Sequence, residues 1–140
     1  MIRIVLDTNV VVSSVLASGS SRAIFDLAVN DRFAWFVSEP ILTEYERVLA
    51  YARLMITPAN IRRTMSAIRK HARQVSPSFK VTKASDEFDN RFLECAQHSK
   101  AHYLVTGNLK HFPVSWKYTK VIPPADFLLL WQIQQPPDSA

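Results

Sequence analysis

Ile2-Arg3-Ile4-Val5-Leu6-Asp7-Thr8-Asn9 decides how this chain is read. An apolar run broken only by Arg3, and rich in β-branched residues, has the composition of a buried strand. A carboxylate ends it, and a second apolar run, Val10-Val11-Val12, follows at once. In α/β folds the carboxyl edge of the sheet is where ligands and chemistry collect, and Asp7 lands at that edge. An Asp in this place also caps helices and makes turns. Thr8 and Asn9 are themselves good caps for the next helix, so the stretch alone leaves the role of Asp7 open.

Working outward, the pattern alternates. Residues 10–16 continue as a short helix, 17–21 form a small-residue break, and a helix is expected over 22–30. Ala34-Trp35-Phe36-Val37-Ser38 reads as a second strand. Ser38-Glu39-Pro40 then opens a helix, because Pro is tolerated in the first turn. Ile41, Leu42, Tyr45, Val48 and Leu49 mark its apolar stripe. At about 3.6 residues per turn, Glu44 and Glu46 flank that stripe on opposite sides, and Arg47 points away from it. Periodicity does not choose between the two glutamates.

A helix is expected from Thr57-Pro58 to about Val75, with Ile61, Met65, Ile68 and Ala72 as a narrow seam. Arg62, Arg63, Arg69, Lys70 and Arg73 cover much of the remainder. Such a basic amphipathic face is either merely solvated or tracks a phosphate backbone. Phe79-Lys80-Val81-Thr82 is expected as an edge strand, and Ser85 or Asp86 as the cap of a further helix. Phe88, Phe92, Leu93, Cys95 and Ala96 define that helix's buried face. Asp89 projects from within the face, whereas Asp86 and Glu94 project from the other side. A carboxylate among apolar neighbours is costly without compensation. Either Asp89 bonds the free N–H groups of the first turn, or a metal ion meets its charge. His102 to Thr106 reads as a strand, Thr106-Gly107-Asn108 as a turn, and residues 109–112 as a short turn or helix. Thr119-Lys120-Val121-Ile122 is a last strand, and Pro123-Pro124 starts an apolar final helix.

Strands alternating with helices predict a three-layer α/β/α domain over residues 1–134, with a central, mostly parallel sheet. Residues 135–140 are expected as a flexible tail. Hydrophobic residues make up 48% of the chain, so a real core is available and disorder is excluded. Gly is only 2, and neither GxGxxG nor GxxxxGK[ST] occurs, which excludes the usual phosphate-cradling loops. Cys95 is the single cysteine, so thiol-rich zinc sites and internal disulfides are excluded. His71, His98, His102 and His111 show no metal-ligand spacing. The net charge of +5 suits a polyanionic partner. No signal peptide precedes the first strand, and no stretch approaches the roughly 18 apolar residues of a membrane span. A cytoplasmic protein without membrane attachment is expected.

Val5-Leu6-Asp7-Thr8-Asn9-Val10, the Glu44 helix with Val48-Leu49 behind it, Asp86 to Ala96, and Tyr103-Leu104-Val105-Thr106-Gly107-Asn108 come in a suggestive order. Together they resemble the PIN domain family of metal-dependent ribonucleases, and among these the VapC-like toxins of bacterial toxin–antitoxin pairs. The resemblance covers nearly the whole chain. It implies an acidic pocket in which Asp7, Glu44 and Asp89 are catalytic and bind Mg²⁺ or Mn²⁺, with Asn108 as a further metal ligand. It implies hydrolysis of RNA phosphodiester bonds by a metal-activated water, leaving a 5′-phosphate and a 3′-hydroxyl. Asn9 and Thr106 look like the family's polar supports, orienting Asp7 or substrate, or else bond only within their turns. Lys110 stands where it can meet phosphate. The implied partners are RNA, a cognate antitoxin protein and a second copy of the chain.

Elementary physics agrees with such a pocket. Close carboxylates repel by about 4 kcal/mol per pair at an effective dielectric of 20. A hard divalent cation prefers oxygen ligands and removes that repulsion. The chain departs from the family where an Asp commonly follows Thr-Gly, because Asn108 stands there and adds no charge. A competing expectation is therefore a PIN-fold RNA- or protein-binding module with weak or no turnover. A phosphoacceptor receiver domain expects adjacent acids near the first strand, and residues 8–25 contain none.

Overall fold

After its first residue, strand β1 (Arg3–Leu6) is sealed from solvent: Ile4, Val5 and Leu6 are each 0% exposed. A computed structural model, which describes residues 1–134, places β1 near the middle of a six-stranded sheet. The tail expected at 135–140 lies outside the described residues. In chain order, α1 (Thr8–Leu16) and α2 (Ser20–Val29) lead to β2 (Ala34–Val37) and α3 (Glu39–Leu49). A 3₁₀ turn (Ala52–Leu54), α4 (Pro58–His71) and β3 (Arg73–Gln74) follow. Then come α5 (Glu87–Ser99), β4 (Tyr103–Val105), a second 3₁₀ turn (Leu109–His111), β5 (Ser115–Trp116), β6 (Thr119–Ile122) and α6 (Pro124–Gln134).

The sheet order is β3-β2-β1-β4-β6-β5. All neighbours are parallel except β5, which pairs antiparallel with β6. This is the mostly parallel sheet between helical layers that the alternation predicts. From β1 the chain builds outward through β2 and β3. It then returns to the other side of β1 with β4. The crevice at the carboxyl ends of β1 and β4 is therefore a topological switch point, the place where open α/β sheets bind ligands. Asp7 follows β1 there and Thr106 follows β4, tied by the Asp7 N–H to the Val105 carbonyl at 2.9 Å.

Aromatic packing holds this edge in place. Trp35, Tyr45, Phe92 and Phe112 form a chain with successive ring centroids 6.2, 6.3 and 6.4 Å apart. Tyr45 is fully buried, and its hydroxyl donates to the Leu6 carbonyl at the end of β1. Burial pushes its phenol far above the ordinary value, so it stays a neutral donor. Cys95 sits in the same core with its thiol pushed up to about 12 by burial, which makes it a packing residue and not a nucleophile.

Three local expectations change. Helix α4 stops at His71, because Ala72 turns extended and Arg73–Gln74 pair with Phe36 and Val37 as the edge strand. Arg73 thus leaves the basic helix for β3. Phe79 to Thr82 is not a strand, since the edge of β2 is already taken. Part of the irregular stretch 75–86 instead satisfies its backbone on side chains of α5. The Val81 N–H donates to Glu94 at 2.8 Å, and Ala84 exchanges two bonds with Asn90. Glu94 is accordingly buried at 6% exposure, not solvated. Among the described residues no single helix is long and apolar enough to cross a membrane.

Candidate acidic active site

Asp7 acts both as helix cap and as part of a site. Its Oδ1 accepts the Thr8 N–H at 2.8 Å and so caps α1, in place of Thr8 or Asn9. Its Oδ2 accepts from Thr106 Oγ1 at 2.7 Å and from Asn9 Nδ2 at 3.0 Å. Asn9 in turn accepts the Gly107 N–H at 3.0 Å, and Thr106 Oγ1 accepts the Asn108 N–H at 2.9 Å. The two loops leaving β1 and β4 are thereby stitched together around one carboxylate by the side chains of Asn9 and Thr106. Burial raises the Asp7 carboxyl above its ordinary value, and the bonds from Thr106 and Thr8 oppose that rise. Three accepted bonds leave part of the carboxylate's acceptor capacity unused.

Glu44 and Asp89 reach the same cleft, of about 330 Å³, which Asp7, Asn9, Asn108 and His111 also line. Tertiary packing decides between Glu44 and Glu46 of α3: Glu44 is buried, and Glu46 is exposed. Glu44 lies against a cation of its own helix, with Arg47 Nη2 at 2.8 Å from its Oε2. Asp89 is 8% exposed, and it caps nothing among the described residues, because Asp86 accepts the Phe88 N–H that begins α5. Its buried Oδ2 has no hydrogen-bond partner there. Burial, then the negative charges of Asp7 and Asp86, push its carboxyl up to about 6; His111, 3.6 Å away, partly offsets them.

An orphaned carboxylate oxygen facing like charges fits a cation better than it fits a finished structural contact. Among the described residues no three His, Cys, Asp or Glu side chains gather tightly enough to enclose an ion by themselves. The donor set suits an ion held by one or two carboxylates with water in the remaining positions, as Mg²⁺ commonly is. Asp7 and Asp89 are the pair with capacity to spare, and Glu44 is engaged by Arg47.

The sequence reading missed Arg47, Arg53, Phe88 and His111, all of which line the cleft. Arg47 is signalled only by its i+3 spacing from Glu44, and His111 only by its nearness to the turn after β4. The basic face expected on α4 lies elsewhere. None of Arg62, Arg63, Arg69, Lys70 or Arg73 lines the acidic cleft, and Arg69 reaches Glu39 at 3.7 Å. Lys110 lines a shallow depression with Asn108 and His111 beside it.

The PIN domain sequence model matches residues 3–110, well over half of the chain and every residue that lines the cleft except His111. No curated protein matches the chain closely enough to serve as a relative. The protein therefore belongs to the PIN domain family, a nuclease fold whose members generally work with divalent metal ions and commonly bind RNA.

Proposed function

We propose that this protein is a divalent-metal-dependent endoribonuclease that hydrolyses RNA phosphodiester bonds at the Asp7–Asp89 cleft. The observation that carries the reading is the buried Oδ2 of Asp89, which among the described residues has no hydrogen-bond partner and only His111, at 3.6 Å, to set against the like charges of Asp7, Asp86 and Glu44. When bound, Mg²⁺ or Mn²⁺ supplies the charge that lets both aspartates stay ionised and Lewis acidity toward water and phosphate. Asp7 and Asp89 hold the ion, with Asn108 as a neutral oxygen donor beside them. Thr106 and Asn9 fix the orientation of Asp7. Arg47 and Arg53 at the cleft wall attract the RNA backbone, and Arg47 keeps Glu44 neutralised until substrate arrives. His111 stands at the mouth with its Nδ1 3.6 Å from Asp89 Oδ2.

The same resemblance supports a finer role: the toxin of a bacterial toxin–antitoxin pair, acting in the cytoplasm and restrained by a cognate antitoxin protein. Leu129 and Ile133 on α6 are 60% and 78% exposed, which supports a homodimer through that helix. A second reading, a PIN-fold RNA- or protein-binding module with little turnover, draws on Asn108 and on the pairing of Glu44 with Arg47. Incubating single-stranded RNA with the protein in Mn²⁺, in Mg²⁺ and in chelator separates the two. Metal-dependent cleavage that disappears in Asp7→Asn is the expected result. Metal-independent binding with intact RNA would favour the module. Growth arrest on expression, relieved by a small neighbouring gene, tests the toxin role.

A further inference from the structure

Phe88 stands on a ridge between two cavities. On one side is the acidic cleft, and on the other a cavity of about 360 Å³ with no part in holding the aspartates. Among the described residues Phe88 alone lines both. It is 44% exposed, and the Arg47 guanidinium lies over its ring, 5.4 Å from the centroid. Arg47 also lies over Tyr51, and Arg53 over Tyr51 in turn, so arginines and rings alternate away from the ridge. The second cavity has apolar walls from Pro40, Val75, Pro77 and Phe79. Its polar lining carries unspent hydrogen-bonding capacity. Ser38 is buried, and its hydroxyl makes no cap bond to α3. Arg91 bonds Glu87 at 2.7 Å and Glu94 at 2.8 Å, but its buried Nε has no partner among the described residues.

The charge of the lining says what kind of group enters. Glu39, Glu87 and Glu94 face Lys80 and Arg91, so carboxylates outnumber cations and a phosphate is repelled. A flat, neutral ring that both donates and accepts hydrogen bonds is accommodated: carboxylates take its amino hydrogens, and Arg91 and Ser38 meet its acceptors. We propose that this cavity seats an unpaired nucleobase of the RNA substrate, stacked on Phe88, while the adjoining phosphate lies in the acidic cleft. The inference rests on the nuclease reading and deepens it: the substrate is single-stranded, because a base held in a duplex cannot swing out onto an aromatic face at no cost.

The test measures binding, not turnover. Fluorescence anisotropy of a short labelled single-stranded RNA is followed with the full chain in Ca²⁺, a hard oxygen-binding cation that neutralises the acidic cleft where the adjoining phosphate lies. Phe88→Ala weakens binding by about tenfold, the size of one lost base–aromatic stack. Ser76→Trp, at the exposed rim of the cavity, blocks the seat without touching the acids and has a similar effect. An abasic site moved stepwise along the RNA finds one position where wild type drops to the level of the variants and where the variants lose nothing further. Equal binding by wild type and both variants, or no binding of single-stranded RNA, overturns the seat and leaves the cavity to another occupant such as a peptide side chain. Cleavage in Mn²⁺ is scored separately. Base-dependent binding without cleavage sinks the nuclease reading and keeps the seat. Cleavage indifferent to Phe88, Ser76 and the abasic site does the reverse.

Discussion

Helix α5 buries two carboxylates, one in its first turn and one at its middle, and the fold treats them in opposite ways. Glu94 receives everything a buried charge requires: the Arg91 guanidinium at 2.8 Å and the Val81 N–H at 2.8 Å. Asp89 receives almost nothing. One oxygen has no hydrogen-bond partner among the described residues and only His111 beside it at 3.6 Å, the other charges around it are negative, and its pKa is driven up to about 6. A structural acid is recognised by completed bonds. An acid kept for a ligand is recognised by what is missing around it. Burial alone, 6% against 8% exposure, would not tell them apart.

The sharpest way to break this contrast is to remove Glu94. Glu94→Ala leaves Arg91 with only the exposed Glu87 as a charge partner and strips the Val81 N–H of its acceptor, and the expected loss is about 3 kcal/mol in urea unfolding. A loss below about 1 kcal/mol, the range of surface pairs, would make Glu94 no structural acid. The reciprocal change is Asp89→Asn. It removes a repelled charge, so stability in chelator holds or rises, while RNA cleavage in Mn²⁺ falls by at least about 10²-fold, the size of a lost electrostatic contact to the transition state. A variant that cleaves normally, or that unfolds, would place Asp89 with Glu94.

The next effect is read from pH. Because the folded-state pKa of Asp89 is raised from 3.8 to about 6, the native protein holds a proton there that the unfolded chain has already released. Native proton excess means that this group's contribution to stability falls as pH rises from about 4 to about 6 and is flat above. Melting temperatures of wild type in chelator should therefore decline relative to Asp89→Asn across that window. Parallel curves would show that Asp89 ionises like an exposed acid. Mn²⁺ affinity should climb over the same range as the proton leaves. The smallest effect concerns the turn after β4: Asn108→Asp should tighten Mn²⁺ binding on the order of tenfold in calorimetry, by adding charge to the ligand set. Unchanged affinity would remove residue 108 from the ion's surroundings.

Much of this was open to a reader of the chain, but not evenly. The strand ending in Asp7 and the turn Thr106-Gly107-Asn108 were legible because local composition specifies them, and the parallel sheet brings them together. Glu44 could not be separated from Glu46 by periodicity, since both flank the apolar stripe; only packing of α3 buries one and exposes the other. Arg73 looked like part of a helix, yet the unpaired edge of β2 recruits it as strand. Glu94 looked solvated because nothing local announces that residues 75–86 fold back over α5 and need an acceptor.

The sequence by itself determined the alternation of strands and helices, the acids at their ends, and the absence of a phosphate loop. These follow from side-chain chemistry and spacing along a few turns of chain. Only the tertiary structure decided which acids are satisfied and which are left wanting, that Arg47 neutralises Glu44, and that Phe88 divides two cavities. Those facts depend on groups distant in sequence meeting in a medium of low dielectric, where a missing partner costs far more than it does in water.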